Sequence, residues 1–119
     1  MTIPLVILIA GVSNYQSTDF HPLPAAQNDA FYLYRFLVEQ GIPQKNIFLL
    51  NEHYVTLNQF EDSLEKISSF PTPFQLMLYF CGHGHRSEGS HPESYLIFSN
   101  SKISQNMPIN AFPLQALLE

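Results

Sequence analysis

Leu5 to Ala10 form an unbroken apolar run, rich in β-branched residues and ending at Gly11, which predicts a parallel strand buried on both faces. Residues 13–24 are polar and turn-rich, a loop at the carboxyl end of that strand. Asn28 or Asp29 then suits a helix cap. Ala30, Phe31, Leu33, Tyr34, Leu37 and Val38 recur at helical spacing, with Phe31 and Tyr34 expected in the core, and Gly41 stops the helix. "KNIFLL" predicts a second short strand. Thr56 and Gln59 form a capping-box pattern ahead of Leu57, Phe60, Leu64 and Ile67, a second amphipathic helix that Pro71 and Pro73 end. Residues 74–81 read as a third strand, 82–92 as a polar loop, 95–98 as a fourth strand or hairpin arm, and 113–118 as a short helix.

This alternation predicts a doubly wound α/β sheet, in which ligands and chemistry sit where strands end. Gly11 and His83 both fall at such ends. The 119 residues suit one domain with a real core. With 45% apolar and 13% charged residues, the chain must bury much of itself.

Charge narrows the partners. The net charge is -5, and Arg35, Lys45, Lys66, Arg86 and Lys102 are scattered, so no basic stripe exists to neutralise a row of phosphates and no nucleic-acid partner is expected. A single cysteine makes no intramolecular disulfide, and no apolar run approaches the roughly 20 residues of a membrane-spanning helix. The apolar start "IPLVILIAGV" has neither a basic region before it nor a small-residue cleavage site after it. It reads as structure, and the expected setting is a reducing cytoplasm with no membrane partner.

The stretch "LMLYFCGHGHRS" carries the chemistry. Cys81, His83 and His85 alternate and would share one face of a continued strand, as zinc ligands would. Gly82 and Gly84 interrupt such a strand, however, and no second cysteine or carboxylate lies nearby. A dyad of Cys81 with His83 is also disfavoured, since residues two apart on a strand hold their Cβ atoms roughly 7 Å apart. As the last residue of an apolar strand, Cys81 reads as a packed thiol. His83, between glycines that let a substrate backbone approach, suits a general base. His21, His53 and His91 read as solvated loop residues.

"LVILIAGVSNY", "LPAAQNDAFYLYRFL", "GIPQKNIFLL", "LMLYFCGHG" and "SYLIFSN" together resemble the first half of the caspase-like cysteine peptidases, the group of caspases and metacaspases. The most specific parts are Asn28-Asp29-Ala30 and Gly82-His83-Gly84, in that order. The resemblance implies a caspase-like three-layer sandwich with a mostly parallel sheet, residues 1–119 being the large-subunit-like portion of a single domain. It implies that His83 is the catalytic base, that the Gly84 N–H helps to form the oxyanion hole, and that Asn28 and Asp29 fix the helix start. The substrate would be a protein or peptide. No cofactor is called for, and calcium dependence stays open.

In that family the nucleophile follows the histidine by about 50 residues, which places it near position ~133. The expectation is therefore a chain without the strand that carries the nucleophile, inactive by itself. Asp19, with no arginine in its loop, tilts the expected cleavage preference towards basic residues. Two rivals remain: a caspase-like scaffold without a nucleophile, and a flavodoxin-like or receiver-like domain, although "GVSNY" has no phosphate-binding glycine pattern. Without the next strand, the third strand would be an edge with apolar faces, and self-association is expected through that edge or through a swapped C-terminal segment.

Overall fold

The computed structural model describes residues 3–118. The first strand, β1 (Leu5–Gly11), is the axis of the fold, and residues 6–10 have no exposed surface. Its side chains alternate. Val6, Leu8 and Ala10 join one apolar cluster, whereas Ile7 and Ile9 join another on the opposite face. Parallel strands flank it, β2 (Ile47–Leu50) on one side and β3 (Gln75–Cys81) on the other, giving the order β2-β1-β3.

Helix α1 (Ala26–Glu39) covers the Ile7/Ile9 face and α2 (Leu57–Ser68) covers the Val6/Leu8 face, so the core has three layers. The chain is thus α/β, with the caspase-like layering expected of it. Thr56 and Gln59 form the anticipated capping box on α2. The end of α1 is also as read: Gly41 N–H donates to Val38 and Ile42 N–H donates to Leu37, a Schellman pair that places Ile42 against the core.

The beginning of α1 differs. The helix starts two residues before Asn28, and Asn28 and Asp29 lie exposed without capping it. Its free N–H groups are instead met from outside: Gln27 N–H donates to the Ser13 hydroxyl. A buried serine brought in from the preceding strand end thus does the work that sequence pattern assigned to a helix residue. Phe31 also departs from expectation, lying 41% exposed rather than in the core, because the inward face is taken by Ala30, Leu33 and Leu37.

A second, antiparallel sheet follows β3. It comprises β4 (Gly84–Arg86), β5 (Ser94–Ser104) and β6 (Met107–Pro113), in the order β4-β5-β6, and a short 3-10 helix at Leu114–Leu118 closes the described chain. The hairpin-arm alternative for residues 95–98 therefore holds, while the stretch 82–92, read as loop throughout, contains β4. Gln105 and Asn106, both at positive φ, make the two-residue β5–β6 turn. Leu96, Phe98 and Phe112 lay this sheet on the α2 side of the core.

Between Ile97 and Lys102 the β5–β6 register shifts, and the bulged residues clamp two loops. Ser99 N–H donates to Val55 O, its hydroxyl accepts from Val55 N–H, and its carbonyl accepts from Gln16 N–H. The loops after β1 and β2 are thereby fixed relative to the second sheet.

Candidate active site

β1 and β3 end side by side, with Gly11 opposite Cys81, so the loop that follows β1 meets the turn that follows β3. That turn passes close to its neighbours at Gly82. A Cβ there would lie 3.0 Å from the Phe80 ring and 3.1 Å from the Tyr15 hydroxyl. The tight passage aims the half-buried His83 side chain at residues 15–21.

Three aromatic rings of that loop box in the imidazole: Tyr15 at 5.0 Å, Phe20 at 5.7 Å and His21 at 4.6 Å between ring centres. The backbone of His83 is held as well. Its N–H donates to the Tyr15 hydroxyl at 3.0 Å, and that hydroxyl donates to Val12 O at 2.9 Å. His83 O accepts from Ile97 N–H, which ties the same residue to β5.

The ring is oriented by a backbone atom. His83 Nε2 lies 2.8 Å from the carbonyl oxygen of His21. A carbonyl can only accept, so Nε2 carries the proton, and in the neutral imidazole Nδ1 is left as the acceptor. When the ring is doubly protonated the same bond persists, so one orientation serves both states of a proton shuttle.

Gly84 opens β4 opposite Leu96. Because His83 O bonds to Ile97 in the adjacent position, Gly84 occupies a non-bonded position of the antiparallel ladder, with its N–H turned away from β5. Cys81 is half-buried rather than fully packed, and His83 makes its hydrogen bonds to Tyr15 and His21, not to the thiol. Burial, followed by the neighbouring Cys81 and Asp29, pushes the Tyr79 phenol up. Among the described residues, no three His, Cys, Asp or Glu side chains gather as metal ligands.

A sequence model of caspase domains matches residues 5–118. The chain belongs to the caspase-domain family. No curated protein and no solved structure gave a match. Within this caspase domain, the match takes in both the His83 turn and the loop that receives it.

The structure also shows site residues that the sequence reading passed over. Tyr15, Phe20 and the His21 carbonyl position His83, and only their loop placement beside a strand end hinted at it. His21 has an exposed ring, as expected of a loop histidine, yet its main chain holds the His83 ring. Asp19, considered above as a substrate-reading acid, spends one carboxylate oxygen on Ile103 N–H at 2.9 Å and the Ser17 hydroxyl at 2.9 Å. The Ile103 N–H, with Ser17 adding to it, holds that carboxyl below its ordinary range, so Asp19 pins the loop to β5.

The Tyr15 hydroxyl gives a measurable prediction. Tyr15→Phe strands the His83 N–H and the Val12 carbonyl together, at a cost of about 1–3 kcal/mol. Burial raises the Tyr15 pKa from 10.0 to about 12. A raised folded pKa means that the contribution is complete below pH 10 and is lost as pH climbs towards about 12. Chemical denaturation across that range should show an alkaline decline in the wild type that is shallower in Tyr15→Phe.

Proposed function

We propose that His83 is the general base and acid of a caspase-like cysteine endopeptidase, and that its nucleophile is a cysteine outside residues 1–119. The observation that carries this reading is the bond from His83 Nε2 to the His21 carbonyl, which leaves Nδ1 to take a proton. The cysteine thiol would lose its proton to His83 and attack the peptide carbonyl carbon. The tetrahedral oxyanion would accept a hydrogen bond from Gly84 N–H, whose direction away from β5 supports that role. The C–N bond would then break as the His83 imidazolium protonates the leaving amine. Water, deprotonated by His83, would hydrolyse the thioester and regenerate the thiol.

Cys81 does not fit the nucleophile's part. It sits on β3 opposite Gly11, and neither hydrogen bond of His83 reaches it. The protein substrates of the family suit the setting, as does a reducing compartment that keeps a thiol active. A second reading is a caspase-like scaffold that keeps the fold without a nucleophile.

Intact-mass analysis after treatment with a thiol-reactive peptide inhibitor separates the two. It should be run on residues 1–119 and on the polypeptide continued through the proposed cysteine, each with and without His83→Ala. The expected result is stoichiometric labelling of the longer form only, abolished by His83→Ala. Peptide cleavage by residues 1–119 alone would refute the external nucleophile, and labelling indifferent to His83 would leave the scaffold.

A further inference from the structure

The parallel strands begin around a cavity that the peptidase reading does not use. Pro4 directly precedes β1, Asn46 directly precedes β2, and residues 70–72 lead into β3. Together with Lys45 they line a space of about 380 Å³, enough for a small organic ligand. It lies at the opposite ends of the strands from Gly11, Cys81 and His83.

Its walls are fixed in advance. Pro4 O accepts from Gln75 N–H, and Asn46 N–H donates to Pro43 O. Phe70 packs against the main core, its ring centre 5.5 Å from that of Phe74, and its N–H donates to Ile67 O.

Asn46 is the residue that the fold itself does not account for. It is only 8% exposed, yet among the described residues its side-chain amide makes no hydrogen bond. Every described side-chain N or O atom sealed from solvent has a partner, so the Asn46 amide must reach open space, and the cavity that it lines supplies that space. The backbone does not call for asparagine either: its φ lies outside the left-handed region, and its side chain caps no helix. A buried amide without a partner costs stability, which an apolar residue such as the neighbouring Ile47 avoids. A polar group aimed into a largely apolar cavity is the usual anchor of a ligand.

Charge decides the sign of that ligand. Lys45 is the only charged residue of the lining. The carbonyls at the end of α2, which would repel an anion, are already occupied: Ile67 O by Phe70 N–H, Lys66 O by Ser69 N–H, and Glu65 O by the Ser68 and Ser69 hydroxyls. One ammonium, one amide and the Thr72 hydroxyl match a single carboxylate better than a doubly charged phosphate. Phe70, Pro71 and Pro4 leave apolar wall for the rest of the molecule.

We propose that this cavity binds a small monocarboxylic acid with an aromatic or branched aliphatic body. The carboxylate accepts from Lys45 and the Asn46 amide, and the hydrocarbon lies against Phe70 and Pro71. The site goes beyond the peptidase reading and asks nothing of His83.

Titration of the isotope-labelled protein with phenylacetate and with isovalerate, followed through its amide resonances, tests the assignment. At least one acid should give saturable shifts centred on residues 45–47 and 70–72. Uncharged phenylacetamide should bind about tenfold or more weakly than phenylacetate, the loss that follows when a charged hydrogen-bond partner is removed. Lys45→Ala, at an exposed position, should weaken the acid to the same degree and leave phenylacetamide unaffected. Asn46→Leu should abolish binding and raise the urea midpoint of the free protein, because it deletes the unpaired amide. No saturable shift with either acid at millimolar concentration overturns the proposal, as do shifts confined to other parts of the chain. Equal binding of phenylacetamide, or an affinity untouched by Lys45→Ala, overturns it whatever the fate of Asn46→Leu. A midpoint lowered by Asn46→Leu would make the amide a structural group, and it too overturns the proposal.

Discussion

Phe60→Ala should cost about 3–5 kcal/mol, the range for emptying a fully buried aromatic site. Against a total stability of about 5–15 kcal/mol for a domain, that leaves the fold marginal. Phe60 projects from α2 with no exposed surface, and its ring centre lies 5.0 Å from both Phe98 and Phe112. Phe98 in turn contacts Phe80 of β3 at 5.6 Å. Phe60 therefore joins the helix to the antiparallel sheet, and Phe98 carries the contact on to the parallel sheet. Urea denaturation followed by circular dichroism should show the midpoint falling with the slope unchanged. Phe60→Leu, which keeps most of the volume, should lose markedly less. A loss under about 1 kcal/mol for the alanine variant, the ordinary size for an arbitrary substitution, would show that the sheets do not depend on this contact.

Gly11→Ala should also be strongly destabilising, although it adds only a methyl group. A Cβ at Gly11 would lie 2.7 Å from the Ala30 Cβ and closer still to the Ala26 carbonyl oxygen. Both obstacles belong to α1 itself, so no side-chain rotation relieves the clash and the helix must move away from the sheet. Overpacking of this kind costs about 1–3 kcal/mol or more. The shift would also pull Gln27 N–H from the Ser13 hydroxyl and disturb the loop that holds His83. Gly84→Ala is the control: its added Cβ meets only Tyr95 O, at 3.6 Å, an ordinary contact, and its stability should match the wild type. Equal stability of Gly11→Ala and Gly84→Ala would refute the close helix–sheet approach as a requirement.

The sequence by itself determined the main elements and their order. The run at β1 announced burial on both faces because every position from Val6 to Ala10 is apolar, and both faces are covered. The capping box and Gly41 marked helix ends through local chemistry, which needs only neighbours in the chain. The same local reading put His83, between Gly82 and Gly84, just beyond a strand, and it lies just beyond the end of β3.

Tertiary structure decided what lies across the chain. The start of α1 is set by Ser13, 14 residues before the amide it accepts. His83 is held by the Tyr15 hydroxyl 68 residues away and by the His21 carbonyl 62 residues away. A carbonyl is present in every residue and leaves no mark in the sequence, so which one receives an imidazole is fixed only when two strand ends meet. The second sheet was hidden likewise: β4 is three residues long, and only its pairing with β5 makes it a strand. Local pattern encodes which face is buried, but the partner on that face comes from folding.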